Sequence, residues 1–352
     1  MANEIHAQPP CVPVMKPSRR LYFLLVPFLL LSLSSVAQED RPESAGAEDD
    51  KLRAALTGEW RPAADRERDR YRHPYETLRF FRLHPDYQVL ELWPGRGWYA
   101  DILAPYLQGS GMYVAAGFDT SSDTFPEPYK QLQREFAARP ETRPEQYREA
   151  VMLELKSDGS ISDLPPDLID VALTFRNVHN WLKAGTAEAI FATLAAAIKS
   201  GGYLGVVEHR AAPGTSLEKM IESGYVTEDK VIELATGAGF VLLEKSEINA
   251  NPADTHDHPN GVWSLPPTLR GGDADRERFL AIGESDRMTL LFQLPVDTPE
   301  KISTKIKNFG PYPEEEYEMK AISDWVTIPV KKKPAGQRKD QNDDADQDQG
   351  QK

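Results

Sequence analysis

The chain alternates short apolar segments with helical segments, and this alternation restricts the fold more than any other feature of the sequence. The predicted strands lie at residues 89–93, 112–118, 151–155, 168–175, 203–208, 241–248 and 288–294. Predicted helices lie at residues 98–107, 128–138, 186–199 and 227–238. Such alternation is typical of a parallel sheet that is covered on both faces. The last two strands have no helix between them, so we predict a three-layer α/β sandwich with an antiparallel last strand.

An apolar run near the start of the chain predicts export. Two arginines precede the run from Leu21 to Leu33, and small residues ending in Ala37 stand before Gln38. This order is typical of a cleaved secretory signal peptide, and the run is short for a membrane-spanning helix. We therefore predict a signal peptide over residues 1–37. The mature protein is expected in the periplasm or outside the cell, without a stable membrane span.

The rest of the chain divides by composition. Residues 38–50 are polar and acidic, which predicts a flexible leader. Residues 51–295 form the predicted domain, which begins with a charged helical segment. Residues 296–330 form a C-terminal extension with one further strand at 325–330. Residues 331–352 lack aromatic side chains, which predicts a disordered tail.

Charge and cysteine content exclude several classes of protein. The 352 residues include 41 basic and 55 acidic ones, for a net charge of −14. We therefore expect no nucleic-acid partner, because binding to phosphates depends on clustered lysine and arginine. The single cysteine, Cys11, lies in the predicted signal peptide. The mature chain would thus have no disulfide and no thiolate nucleophile. A small-molecule substrate is expected, and the oligomeric state stays open.

A glycine turn follows the first predicted strand. Glu91, Trp93, Gly95 and Gly97 alternate with other residues between that strand and a helix. Glycines let a ligand approach the backbone, and the helix N-terminus offers unpaired amide groups. Asp119 ends the second strand about 20 residues further on, where nucleotide-binding α/β units carry a ribose-binding carboxylate. The turn and Asp119 together indicate a nucleotide-like ligand.

Several segments together resemble class I S-adenosylmethionine-dependent methyltransferases. The resemblance is closer still to a group of secreted bacterial proteins that are predicted methyltransferases, and it spans roughly residues 60 to 295. One departure is Trp93, which stands where these enzymes usually have a first glycine. The matching segments are 91–99, 174–181, 205–210, 246–252 with 257–259, and 265–270 with 283–287.

The resemblance implies a Rossmann-like methyltransferase fold with S-adenosylmethionine as the cofactor. The implied activity is methyl transfer to a small acceptor that the sequence does not identify. The residues implied to bind the cofactor are Glu91, Trp93, Gly95, Gly97, Asp119 and Asn177.

Polar side chains follow the fourth and fifth strands. Because parallel strands present their carboxyl ends at one edge of a sheet, these residues are expected to meet in one cleft. We predict His179, Asn180 and His209 as catalytic residues, since histidine can accept a proton near neutral pH. Arg176 and Trp181 are predicted to contact the substrate.

The long connection before the last strand is predicted to form a lid over the cleft. Its candidate residues are Asp254, His256, Asp257, His258 and Trp263. The histidines and aspartates could instead hold a metal ion in a hydrolase, but no strong zinc spacing is present, so we assign no metal ligand. A second alternative is an exported binding protein without catalysis. The basic residues 66–72 are expected to form a solvated helix face with internal ion pairs.

Overall fold

The computed structural model describes residues 42–123, 125–273, 275–296, 317–323 and 326–331. Seven strands form one sheet in the order β3-β2-β1-β4-β5-β7-β6. These strands are β1 Gln88–Leu92, β2 Met112–Phe118, β3 Val151–Leu155, β4 Ile169–Phe175, β5 Ile198–His209, β6 Val241–Ser246 and β7 Arg287–Gln293.

The directions of the strands confirm the predicted fold class. Every pair from β3 to β5 is parallel, whereas β7 is antiparallel to both β5 and β6. The sheet is therefore mostly parallel, with an antiparallel last strand and a Rossmann-like order. Since β7 runs the other way, the residues just before it lie at the edge where the parallel strands end.

Helices cover both faces of the sheet. Successive residues of β1 point to opposite faces, so Val89 packs in one apolar cluster and Leu90 in the other. The Val89 face carries residues of α1, α4 and α5, and the Leu90 face carries residues of α9 to α12. The helices are α1 Pro42–Thr57, α2 Ala63–Arg66, α3 Asp69–Arg72, α4 Pro74–Phe80, α5 Ala100–Leu107, α6 Glu127–Ala137, α7 Arg139–Thr142, α8 Pro144–Tyr147, α9 Val178–Ala184, α10 Ala187–Ala197, α11 Leu217–Ser223, α12 Glu228–Gly237 and α13 Arg276–Ile282, with a 3-10 turn at Gly261–Ser264.

The start of the domain differs from the prediction. Residues 42–50 were expected in a flexible leader, but helix α1 begins at Pro42. Residues of other segments contact this helix: Asp49 accepts a hydrogen bond from Tyr75, and Glu48 contacts His84 at 2.7 Å. Within the helix, Asp49 also pairs with Arg53. The composition of residues 38–50 does not reveal partners in other segments.

The C-terminal extension contains two strands where one was predicted. β8 Tyr317–Ser323 and β9 Val326–Lys331 pair in antiparallel fashion, and β9 corresponds to the predicted strand at 325–330. The predicted signal peptide, residues 38–41 of the leader and residues 332–352 of the tail lie outside the described residues. Among the residues that are described, no helix has the length and apolar character that crossing a membrane requires.

Candidate functional site

A cavity of about 340 Å³ opens at the edge where the parallel strands end. The turn after β1, the residues after β4 and the end of β5 form its floor. The segment 262–268 covers one side, and Glu284 and Ser285, just before β7, close another. The volume lies within the range of small-molecule sites. This cavity lies where the sequence predicted a cleft between the ends of the parallel strands.

His179 lines this cavity and forms a buried pair with Glu208, which lies behind it. His179 is the second residue of α9, directly after β4, and Glu208 belongs to β5 and is fully buried. The imidazole Nδ1 lies 3.0 Å from Glu208 Oε1, and the His179 backbone N–H donates to Oε2 at 3.2 Å. A carboxylate at Nδ1 holds the proton there, so Nε2 is left as the proton acceptor. Within the described chain Nε2 has no hydrogen-bond partner.

His209 lies beside His179. The two ring centroids are 5.3 Å apart, and His209 Nδ1 lies 2.6 Å from the hydroxyl oxygen of Ser285. Burial lowers the pKa of His209 well below its usual value, and the neighbouring His179 and Arg176 lower it further. His209 is therefore neutral at neutral pH.

His179, Glu208 and His209 are also close enough together to be considered as metal ligands. However, both oxygens of Glu208 already accept hydrogen bonds, from the backbone N–H of His179 and of His209 and from His179 Nδ1. The carboxylate is thus used to orient the histidines. Such an arrangement is suited to proton transfer at the ring of His179.

The residues predicted to bind the cofactor separate into two groups. Glu91, Trp93, Gly95 and Asn177 line the cavity, whereas Gly97 and Asp119 are not part of its wall. The Asn177 amide donates to the carbonyl of Leu92 at 2.9 Å and thereby joins the ends of β1 and β4.

The turn after β1 fits a ligand at Gly95. This residue has a φ of +60°, and a Cβ placed there would meet no atom within 4 Å, so the backbone is open to a bound molecule. Gly97 is different, because a Cβ there would collide with the guanidinium of Arg139. Trp93 adopts a φ of +46°, an unusual conformation for a bulky side chain that is typical of functional sites.

Glu91 is buried in the cavity wall. Burial raises the pKa of its carboxyl group to about 7, and a hydrogen bond of 2.6 Å from Tyr113 acts in the opposite direction. A carboxyl group that titrates near neutral pH in a cleft is typical of functional sites.

Asp119, at the end of β2, keeps one carboxylate oxygen for a ligand. The residue is buried, and its Oδ1 accepts hydrogen bonds from the backbone and hydroxyl of Ser121 and from Lys156 at 3.2 Å, whereas Oδ2 has no hydrogen-bond partner among the described residues. Nearby, the Trp93 ring packs against Phe118 and Phe125, with centroids 5.0 and 5.6 Å apart. Because Asp119 is not part of the cavity wall, its role at a ribose stays a prediction.

Of the five lid residues that were predicted from the sequence, only Trp263 lines the cavity. Its ring lies 6.1 Å from that of His179. The other four residues lie away from the cavity wall. Buried Asp254 accepts hydrogen bonds from Tyr225, His258 and two backbone N–H groups. His256 lies 3.3 Å from Asp286. The exposed Asp257 accepts a hydrogen bond from Thr255.

Three residues after β4 have separate locations. Arg176 is half-buried and lines the cavity, with a φ of +65°. Trp181 is fully buried and packs against Trp93 at 6.0 Å, below the cavity. Asn180, which was predicted as catalytic, is exposed and is not part of the cavity wall. Helix α9 explains why Asn180 and Trp181 are separated, since consecutive residues of a helix point in different directions.

Arg68, Arg72 and Glu284 also line the cavity, although no pattern in the sequence indicated them as site residues. Arg72 was expected on a solvated helix face, but it is only 2% exposed. Its Nε donates to Glu284 at 3.0 Å, and Arg68 donates to the other oxygen at 2.7 Å. The partner is more than 200 residues away, so no local pattern could reveal it. The expectation of a solvated face is wrong at Arg72.

No family model and no curated protein matches this chain. Solved structures with a similar fold include an S-adenosylmethionine-dependent methyltransferase from Aquifex aeolicus, at 13% identity and a TM-score of 0.43, covering 70% of this chain and 98% of the other. Another is the cyclase SpnF, at 16% identity and a TM-score of 0.43, covering 69% and 85%. A methyltransferase from Methanosarcina mazei has 15% identity and a TM-score of 0.39, covering 62% and 97%. At such scores, the fold assignment rests on the strand order itself.

Proposed function

We propose that the protein transfers a methyl group from S-adenosylmethionine to a small acceptor in the cavity, with His179 as the base. The observation that carries the proposal is the buried His179–Glu208 pair. His179 lines a cavity at the carboxyl edge of a methyltransferase-like sheet, and its Nε2 has no hydrogen-bond partner among the described residues. Fold alone does not establish an activity, so the chemistry of the site has to support it.

Glu91, Trp93 and Gly95 would hold the donor at the turn after β1, with Asn177 supporting the turn. When bound, the donor supplies an electrophilic methyl group on a sulfonium. The aromatic wall of the cavity suits a cation of this kind, because the face of an aromatic ring attracts positive charge. Asp119 stays a candidate for the ribose.

The residues of this chain would activate the acceptor. Nε2 of His179 takes the proton from the acceptor, and Glu208 stabilises the imidazolium that forms. His209 is neutral and uses Nδ1 towards Ser285, so its own Nε2 can position the acceptor. Positioning of donor and acceptor would supply most of the rate.

Calorimetry with S-adenosylmethionine and S-adenosylhomocysteine tests the donor. Wild-type protein is expected to bind both. Isotopically labelled donor, incubated with a fraction of small metabolites, then reports transfer. His84→Ala is the control for the loss of a histidine that contacts carboxylates, and it should behave like the wild type. His84 lies before β1, at the opposite edge of the sheet, and contacts Glu48 and Asp86. Failure of the wild type to bind either compound would overturn methyl transfer and favour a binding protein.

We also propose that the protein is exported. The support is the charged, apolar and small-residue order of residues 1–37. N-terminal sequencing of native material is expected to start at Gln38. Recovery of protein that still begins with Met1 would contradict the proposal.

A further inference from the structure

We propose that the substrate carries a small oxyanion, a carboxylate or a phosphate, which binds to Arg176 next to Arg72 and Arg68. This inference names the substrate class for the function proposed above and rests on it for the reaction. Anion binding itself can be measured without any methyl donor.

Positive charge exceeds negative charge at this end of the cavity. Glu284 accepts hydrogen bonds from Arg68 at 2.7 Å, Arg72 at 3.0 Å and Arg287 at 3.3 Å. One carboxylate therefore serves three guanidinium groups. Although burial opposes the effect, these arginines lower the pKa of Glu284 to about 2, so it is charged at any ordinary pH.

Arg176 adds a fourth positive charge without a hydrogen-bond partner. Arg176 lines the cavity, and its guanidinium makes no hydrogen bond within the described residues, while its backbone N–H donates to the carbonyl of Val207 at 2.7 Å. It also adopts a left-handed backbone conformation, with a φ of +65°. Holding a strained, half-buried cation without a partner is costly, and a bound anion would offset that cost.

Two of the other arginines also have unused hydrogen-bond donors. Nη1 of Arg72 and Nη2 of Arg68 are buried and have no partner in the described structure. The guanidinium of Arg72 lies 4.6 Å from the Trp98 ring centroid, which offsets only part of its charge. Burial, followed by the charge of Arg176, lowers the pKa of Arg72 to about 9. Both observations indicate that positive charge is crowded here.

The other carboxyl group of the described cavity wall does not cancel this charge. Glu91 is hydrogen bonded by Tyr113, and burial raises its pKa to about 7, so it is only partly charged at neutral pH. Guanidinium groups match the planar geometry of carboxylates and the oxygens of phosphates, which makes an oxyanion the natural ligand.

The remaining walls of the cavity define the rest of the substrate. Tyr99 and Phe175 are stacked with their centroids 3.5 Å apart, and Trp263 lies above His179. Apolar walls of this kind favour a small organic body rather than a free inorganic ion. The substrate would thus place its oxyanion at Arg176, its apolar part against the rings and its reacting group near His179.

Calorimetry on the full chain at low salt tests the inference, with inorganic phosphate, acetate and benzoate as probes. Wild-type protein is expected to bind at least one of them. Arg176→Gln should weaken that binding about 10- to 100-fold, as expected for the loss of a charge-assisted hydrogen bond. Arg176→Lys keeps the charge and should retain part of the affinity. Unfolding temperatures of both variants should stay near that of the wild type.

Arg82→Gln is the matched control. Arg82 is exposed, pairs with Glu244 and also has a positive φ, of 57°, so it matches Arg176 in charge and backbone conformation. A preference for phosphate would identify a phosphorylated substrate, and a preference for benzoate would identify a carboxylate on an apolar body. The inference is overturned if no probe binds, or if both glutamine variants weaken binding equally. Anion binding without donor binding would instead contradict only the methyl transfer.

Discussion

Two buried histidine–carboxylate pairs in this protein have similar chemistry and different surroundings. At the cavity wall, His179 Nδ1 lies 3.0 Å from Glu208, and Nε2 has no hydrogen-bond partner among the described residues. In the long connection, His258 Nε2 lies 2.8 Å from Asp254. His258 has a fully buried side chain, and its Nδ1 is also buried, without a partner among the described residues.

Under the proposed function, access rather than the pairing itself separates the two histidines. The Asp254 carboxylate also accepts from Tyr225 and from the backbone N–H of His256 and Asp286, so it fastens the connection to the start of β7. Both side chains of this pair are fully buried, so neither exposes an atom to a substrate. Glu208 instead orients a ring that a ligand can approach, as proton transfer requires.

The largest effect is expected at the cavity pair. His179→Ala should reduce methyl transfer about 10²- to 10⁴-fold, the usual contribution of a general base. Donor binding should change little, whereas the unfolding temperature should fall, because the fully buried Glu208 loses its imidazole partner. Turnover is measured with labelled donor, and binding with calorimetry. Retention of full turnover by His179→Ala would show that the cavity pair is not the base.

The second effect concerns the connection pair and appears in stability. Asp254→Ala should lower the free energy of unfolding by about 3–5 kcal/mol, because several buried donors lose their acceptor. Urea denaturation measures this change. His258→Ala should also destabilise the protein while leaving anion binding at Arg176 intact. A stable Asp254→Ala variant with lost turnover would break the comparison by giving this pair a catalytic role.

Glu91 is a buried carboxyl group that has no histidine partner, and it adds a third case to the comparison. The pKa of Glu91 is raised from 4.5 to about 7 by burial, so the folded state holds its proton more tightly than the unfolded state does. Stability from this group is present below pH 4.5 and is lost as the pH rises to about 7. Glu91→Gln should therefore stabilise the protein above pH 7, by up to about 3 kcal/mol. Unfolding measured from pH 4 to 8 should show the two curves diverging; parallel curves would contradict the raised pKa.

The smallest effect is expected at an exposed pair. His84 contacts Glu48 and Asp86 and is 37% exposed. Burial acts to lower the pKa of His84, but the two carboxylates raise it, and the net result is a raised pKa. Any stabilisation is therefore present at low pH and is lost as the pH rises through that pKa. Solvent screens such pairs, and His84→Ala should change the free energy of unfolding by less than about 1 kcal/mol. Denaturation at pH 5 and pH 8 checks both size and direction.

The sequence allowed part of the site to be predicted. Residues that directly follow a parallel strand, such as His179 and His209, could be placed at one edge by topology alone. Asp254 and His258 were predicted near the cavity because they share a polar connection, but hydrogen bonds to Tyr225 and Asp286 direct them elsewhere. Arg72 and Glu284 were missed because their contact joins two segments that are distant in the chain.

Local patterns determined the fold class, since the period of apolar residues and the positions of glycine decide strands, helices and turns nearly independently of the rest of the chain. The tertiary structure alone decided which polar groups are neutralised. It paired Asp119 with Lys156 and Asp254 with His258, and it left Arg176 and Nε2 of His179 without a hydrogen-bond partner in the described chain. Charge and hydrogen-bond balance depend on distances of a few ångströms between remote segments, and these distances exist only once the sheet, the connection and the N-terminal helices have packed together.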